Sequence, residues 1–418
     1  MNKKWTGEKI FLCAMCLVSL IFAGCNNLSA IFGDEIQDIA EPVSIDTNVV
    51  TANTHFGFDL FDEIRKSEQD KNIFISPLSI STALAMTLNG ASNETEQAMA
   101  NTLQLQGLDP ESINTSYAGL RQALQVADPK VILTIANSLW ARQGIPFKQD
   151  FLQRNTQFFG AEVSTLDFAD PNTLTTINQW VNTNTNGKIE KILDEINPDA
   201  VLFLINAIYF KGTWQTEFDP LHTRDGTFHL GTGDEKQVPM MTRTGDYRSY
   251  ENHEEKFQAI SLPYGDGQMS MYIFLPYSES DLNTFLEGLN AENWESWMSQ
   301  FHEKEVFLSI PKFKLEYEKT LNNPLQSLGM GIAFAPMAAD FSRMADLETL
   351  GKNLYIGEVL HKAVVEVNEE GTEAAAVTSV GIRTTSLPPQ FIADRPFFFA
   401  IRDNETKTVL FMGTVVAP

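Results

Sequence analysis

Residues 365–391 read Val-Glu-Val-Asn-Glu-Glu-Gly-Thr-Glu-Ala-Ala-Ala-Val-Thr-Ser-Val-Gly-Ile-Arg-Thr-Thr-Ser-Leu-Pro-Pro-Gln-Phe, the pattern of a β-strand with nowhere obvious to pair. Every second residue from Thr372 is small or apolar: Thr372, Ala374, Ala376, Thr378, Val380 and Ile382. The interleaved set, Glu373, Ala375, Val377, Ser379, Gly381 and Arg383, carries every charge. In a strand the two sets point to opposite faces, so one face can be buried. Its Ala and Thr positions suit a slot that opens between existing strands better than an ordinary core. Ser-Leu-Pro-Pro at 386–389 stops the pattern, because proline cannot donate to a ladder. Taken without its neighbours, the run also has the composition of a weakly packed edge strand entering a Pro-rich linker.

The neighbours change that balance. Glu369-Glu-Gly-Thr-Glu-Ala-Ala-Ala376, then Thr385-Ser386, then Phe391-Ile-Ala-Asp-Arg-Pro-Phe-Phe-Phe-Ala-Ile401 resembles, in order and spacing, the hinge, reactive bond and distal signature of the serpins. The resemblance covers roughly residues 51–418. Asn72-Ile-Phe-Ile-Ser-Pro-Leu-Ser79 resembles the serpin segment leading into a buried helix, and Leu204-Ile-Asn-Ala-Ile-Tyr-Phe-Lys-Gly-Thr-Trp214 the family's central strand. Val238-Pro-Met-Met241, Val306-Phe-Leu-Ser-Ile-Pro-Lys-Phe313, His361-Lys-Ala-Val364 and Leu410-Phe-Met-Gly413 follow in the expected order.

The resemblance implies an α+β serpin fold: a large central β-sheet with further sheets, surrounding helices and an exposed reactive loop at about residues 369–391. It implies a hinge at Glu369, Gly371, Thr372, Ala374, Ala375 and Ala376, and a reactive bond between Thr385 and Ser386. Arg383–Thr384 is the alternative bond. Ser76, Ser79, Asn206 and His361 match the polar cluster beneath the opening sheet, and Trp214 the tryptophan near the point where insertion starts. Each also has a local reading: Ser79 as a helix cap, Asn206 as a satisfied core amide, His361 as a half-buried histidine, Trp214 as packing.

The implied function is a suicide substrate for a target serine or cysteine endopeptidase. The protease attacks the loop, forms an acyl-enzyme, and is carried away when the freed strand from Thr372 to Thr385 enters the central sheet. A charge at an inward position would cost several kcal/mol unless paired, and the inward set here has none. The competing class is a non-inhibitory serpin-fold carrier or surface lipoprotein. Thr385 implies elastase-like or subtilisin-like targets, since a β-branched side chain fits poorly in a deep pocket built for arginine. Arg383 would instead draw trypsin-like enzymes, two residues earlier.

Composition frames these expectations. With 418 residues the chain exceeds a usual single domain, yet no linker or internal repeat follows about Thr51, and one serpin domain over 51–418 is expected. Hydrophobic residues make up 43% of the chain, including 29 Phe, ample for a sizeable core. The net charge of −24 disfavours nucleic acid and polyanions as partners. No heparin site is expected either, since the stretch 101–128 that would match a basic helix contains only Arg121. A monomer is expected. The chain has no Gly-x-Ser-x-Gly elbow, phosphate loop or His-Glu-x-x-His; His253-Glu254 and His302-Glu303 each lack the second histidine. No metal, no cofactor and no enzymatic activity are expected.

At the N-terminus, Lys3, Lys4 and Lys9 precede an apolar run from Ile10 to Ala23, the charge arrangement of a secretory signal. Phe22-Ala-Gly-Cys25 resembles a bacterial lipoprotein cleavage site, with Phe22 where leucine is commoner. The expected product is a lipidated Cys25 and an acidic tether over 25–50, with the protein held at the cell envelope or surface through the lipid alone; the alternative is secretion after an ordinary signal. Removing Lys3, Lys4, Lys9 and Glu8 takes the net charge from −24 to −26. All three cysteines, Cys13, Cys16 and Cys25, lie in or at the end of that signal, so the folded part can form no disulfide.

Apolar spacing predicts helices over 56–66, 79–89, 173–183 and 282–298. Strands are predicted over 201–210, 257–262, 269–275, 306–313, 363–367 and 408–416.

Overall fold

The computed structural model describes residues 44–197, 200–372 and 388–418. The apolar periodicity resolves into eight helices of seven residues or more among them: α1 (Thr47–Ser67), α2 (Pro77–Leu88), α3 (Asn93–Thr102), α4 (Pro110–Gln125), α5 (Gln149–Phe159), α6 (Asn172–Asn184), α7 (Leu282–Gly288) and α8 (Ala291–Met298). Fifteen strands accompany them: β1 (Ile73–Ile75), β2 (Val131–Arg142), β3 (Glu162–Leu166), β4 (Leu202–Thr213), β5 (Arg224–His229), β6 (Glu235–Asn252), β7 (Phe257–Pro263), β8 (Met269–Pro276), β9 (His302–Pro311), β10 (Phe313–Thr320), β11 (Leu360–Val367), β12 (Gly371–Thr372), β13 (Gln390–Ile392), β14 (Phe397–Asp403) and β15 (Val409–Val415).

Nine strands form one sheet, in the order β1-β15-β14-β8-β7-β6-β9-β13 with β5 on β6. Its strands β8, β14 and β15 are buried along their whole length, which matches their near-continuous apolar sequence. Phe274 meets Trp294 of α8 at 5.5 Å between ring centroids and Phe398 at 6.1 Å. The other sheet is in two parts, β12-β4-β2-β3 and the antiparallel pair β10-β11. The turn from Asn368 to Gly371 joins them at one end, with Asn368 N–H donating to the Gly371 carbonyl at 3.0 Å.

This divided sheet is two-faced, as period-2 strands require. On one face Leu133 and Ile135 of β2, Ile208 and Phe210 of β4, and Val365 of β11 enter the main core. On the other, Trp140, Ile205 and Ala207 lie under Ile177 and Val181 of α6.

Several elements differ from the sequence-based expectation. The first helix starts at Thr47, inside the stretch read as tether, and buries Val49 and Val50. The folded body therefore begins before residue 51. Polar Thr51, Asn53 and Thr54 masked this turn, yet Asn53 and Thr54 are buried, with the Thr54 hydroxyl donating to the Val50 carbonyl. Residues 282–298 form two helices, because Asn290 caps the second by accepting from Asn293 N–H. Likewise 306–313 spans a break at Lys312 between β9 and β10. Val365–Val367 is not unpaired: it is the end of β11, bonded along β10.

Candidate functional site

Two constellations flank the gap between β4 and β11. At the hinge end, Gly371 and Thr372 pair antiparallel with Thr213 and Gly212. A Cβ on Gly371 would sit 2.1 Å from the Gly212 carbonyl oxygen, and its φ is 142°. Close backbone approach, as well as left-handed freedom, therefore demands glycine there. The turn is fixed from β4: Trp214 N–H donates to the Glu370 carbonyl at 2.8 Å, Phe218 N–H to the Glu369 carbonyl at 2.8 Å, and the Trp214 indole N–H to the Asn368 carbonyl at 3.0 Å.

Trp214 stacks on Tyr264 with centroids 4.4 Å apart, and the Tyr264 hydroxyl lies 3.0 Å from Thr372 Oγ1. Burial pushes the Tyr264 phenol well above its usual range. Glu369 is also buried. Burial raises its pKa, but hydrogen bonds, led by that from Lys312 and joined by that from Thr223, outweigh burial and hold the carboxyl below its ordinary value. Lys312 Nζ lies 2.7 Å from Oε2 and Thr223 Oγ1 2.8 Å from Oε1. Arg243 rests between Phe218 and Tyr247, 5.2 and 5.1 Å from their ring centres, and bonds the Tyr247 hydroxyl and the Thr216 and Glu217 carbonyls. It thereby holds the Thr216–Phe218 connection that grips the hinge.

Midway along the gap lies a polar knot. Ser76, not Ser79, caps α2: its hydroxyl accepts from Ser79 N–H at 3.2 Å and donates to the Leu410 carbonyl at 2.7 Å. Ser79 Oγ instead bonds Asn206 Oδ1, and Asn206 Nδ2 donates to Asn137 Oδ1 at 2.6 Å. Asn137 in turn donates to the Phe159 carbonyl at 2.7 Å. Across the gap, Ser76 N–H donates to His361 Nε2 at 3.3 Å. His361 is fully buried, not half-buried, at 3% exposure. Accepting through Nε2 requires a neutral ring, and burial lowers its pKa from 6.5 to about 4.

Between these strands opens a slot of about 620 Å³, lined among others by Ser79, Ala83, Leu204, Asn206, His361 and Leu193. Below Gly212 no described strand pairs with this edge of β4, and β11 pairs only with β10. The slot is therefore the width left between two sheet parts, with β12 seated at its upper end.

Ala374, Ala375, Ala376, Arg383, Thr384, Thr385, Ser386 and Cys25 lie outside the described residues. The structure brings Glu369, Gly371, Thr372 and Trp214 together at one end of the gap and Ser76, Ser79, Asn206 and His361 together midway along it. Asn137, Tyr264, Lys312 and Arg243 escaped the sequence reading. For Asn137 a signal existed: it is an amide in a mostly apolar strand run, facing Asn206 in register. Among the described residues no cluster of three or more His, Cys, Asp or Glu could hold a metal ion.

The site is thus a sheet in two parts with β12 seated at the upper end of the gap between them, and comparison with known proteins names the class. The model of the serpin (serine protease inhibitor) family matches residues 51–418. Human Serpin B11 is 36% identical over 391 residues, covering 88% of this chain and 99% of its own, and the leukocyte elastase inhibitor of Sus scrofa is 37% identical over 379 residues, covering 88% and 98%. The native-state crystal structure of tengpin, a thermophilic serpin, superposes with a TM-score of 0.81 at 35% identity, covering 90% of this chain and 95% of that one. The chain belongs to the serpin family. One expectation is corrected in its ground: absent enzyme motifs were too weak a basis for deciding against an enzyme, and the family, described as one of serine protease inhibitors, is what assigns the chain's class.

The buried neutral histidine yields a pH prediction. Unfolded, His361 titrates near its ordinary 6.5; folded, near 4. The unfolded chain therefore binds more protons between these values, so this contribution to stability is complete above pH 6.5 and is lost as pH falls through 4. At full size the shift corresponds to about 3 kcal/mol. Urea midpoints should fall more steeply from pH 7 to pH 4.5 in the wild type than in His361→Gln; parallel curves would refute the assignment.

Proposed function

We propose that this serpin is a suicide-substrate inhibitor of serine endopeptidases, cleaved at Thr385–Ser386 and completed by entry of residues 372–385 into the slot. The protease's serine attacks the Thr385 carbonyl carbon, the amine of Ser386 leaves, and the ester holds the enzyme to the loop. Fourteen residues at about 3.3 Å each then carry it about 46 Å. Traction on the serine distorts the oxyanion hole on which hydrolysis of that ester depends.

One observation carries the reading: the register in which Thr372 faces Gly212. Continued down β4, it sets Ala374 against Phe210, Ala376 against Ile208, Thr378 against Asn206, Val380 against Leu204 and Ile382 against Leu202. Residues directly opposed in an antiparallel pair share a face, and Phe210 and Ile208 face the main core. On insertion in that register the uncharged set would fall on the buried face, and Glu373 opposite Lys211 on the other. Ala376→Glu should turn the inhibitor into a substrate, cleaved and released, while Glu373→Ala should leave trapping near wild type. Stable complex at wild-type yield from Ala376→Glu, read on denaturing gels, would overturn insertion.

Relatives named for inhibiting leukocyte elastase support an elastase-like or subtilisin-like target through Thr385. Trypsin-like enzymes would cut at Arg383–Thr384, leaving the inserting strand two residues, about 6.6 Å, shorter. Mass spectrometry of the released C-terminal peptide should find Ser386 as its first residue with elastase and Thr384 with trypsin, and trypsin should release more cleaved inhibitor per complex. Stable complexes formed after cleavage at a third site would show the bond to be misplaced.

The signal-like N-terminus supports lipid anchoring at Cys25 at the cell envelope or surface. Cys25→Ser should release the protein from membranes, and an unlipidated soluble wild type would exclude the anchor.

A further inference from the structure

Away from the slot, a cleft of about 570 Å³ lies between α3, the segment 105–108, and the starts of α4 and α5, within the size range of small-molecule sites. Leu88, Ala100, Leu105, Leu108, Ile113 and Phe151 give it an apolar lining. Lys148, Arg154 and Arg343 also line it, against two carboxylates, Glu96 and Asp150. In a chain with 30 Lys and Arg against 54 Asp and Glu, that local excess of cations reverses the general sign. The cations are not equivalent. Arg343 is committed to Glu96 at 2.6 Å, whereas neither Lys148 nor Arg154 makes a side-chain ion pair or hydrogen bond among the described residues. Lys148 stands at the N-terminal boundary of α5 without a side-chain capping bond, and Phe151 and Arg154 follow at three-residue intervals, a spacing that brings neighbours onto one side of a helix. The buried Phe151 ring thus lies between two cations that have no side-chain partner within ion-pair distance, although the Lys148 charge also acts on Asp346.

That arrangement specifies a ligand. With Arg343 paired to Glu96, Lys148 and Arg154 against Asp150 leave the lining room for no more than one negative charge, while Asp150, Glu96 and nearby Asp346 oppose a polyanion. Guanidinium binds a carboxylate in a two-point fork, and the apolar lining calls for a hydrocarbon body. We propose that this cleft binds a monoanionic amphiphile, an alkyl carboxylate held by Arg154 and Lys148 with its chain along Leu105, Leu108 and Phe151. The site is independent of the trapping mechanism, although the helix that supplies Leu88 also carries Ser79 and Ala83 into the slot.

Calorimetric titration of the full chain with dodecanoate tests this, with dodecanol and dodecyltrimethylammonium as charge controls. Dodecanoate should saturate one site, and both controls should bind at least about tenfold more weakly, as expected for loss of a charge-assisted hydrogen bond. Arg154→Glu should weaken dodecanoate by at least about tenfold, Arg154→Lys should retain most of the affinity, and Ala100→Trp should block the chain. Arg154 is exposed, so Arg154→Glu should melt and trap protease as the wild type does. Equal affinity for dodecanol, undiminished binding by Arg154→Glu, or no binding at about 1 mM would overturn the proposal. So would binding abolished by Leu204→Trp in the slot but kept by Arg154→Glu, which would place the chain in the slot instead.

Discussion

Two strand edges that belong to one sheet are not bonded to each other: β4 below Gly212 and the facing edge of β11. Backbone N–H and C=O groups along such edges can be satisfied as a continuous ladder only by another strand, and unpaired edges are ordinarily a hazard. Here the hazard is confined. α2 lies against one face of the gap, and α6 with the segment after it covers the other, where Asn178 of α6 accepts from Ile192 and Leu193 N–H and donates to the Leu193 carbonyl. A strand entering between β4 and β11 would satisfy both edges and bury its inward side chains at once, so the divided sheet holds free energy that a two-sided ladder would release.

The contacts holding the gap differ along its length. At the hinge end a stacked Trp214–Tyr264 pair and the Glu369–Lys312 bridge clamp the turn, leaving Thr372 already in register. Midway, neutral groups do the bridging, His361 to Ser76 and Asn206 to Ser79 and Asn137. Under the β12 register, a strand inserted as proposed would bring Thr378, the first hydroxyl beyond the hinge on the inward face, opposite Asn206. The Asn368–Gly371 turn, continued the same way, sets Thr378 against His361 on the other side. In the proposed insertion a polar side chain would thus meet the polar part of the slot, where a wholly apolar residue would leave amide and imidazole to lose partners.

Much of this was legible in residues that act locally. The long apolar runs at 269–275 and 408–416 reported central strands. Gly371 was legible as a glycine but not for its main reason, since the approach of the Gly212 carbonyl is set by a strand some 160 positions earlier in the chain. The same limit hid Tyr264, Lys312 and Arg243, whose neighbours carry no motif and whose roles arise only when β6, β9 and the turn after β7 converge on the hinge. Ser79 was misread as a cap because two serines three positions apart around a proline offer alternative starts. Pro77 at the first helical position decides for Ser76.

The lower end of the slot bears on what the two candidate bonds can distinguish. Paired residues of β4 end at Leu202, which the register sets opposite Ile382. Arg383 lies one residue past that point and Thr385 three, about 3 and 10 Å. A strand cut at either bond would complete its pairing along β4, so the two cuts differ little in the energy that insertion yields. They differ in how far the acyl-bound enzyme clears the end of the sheet. Any difference in trapping between them therefore reports mechanical clearance rather than ladder stability, and the same chain can separate the two contributions without a change to its core.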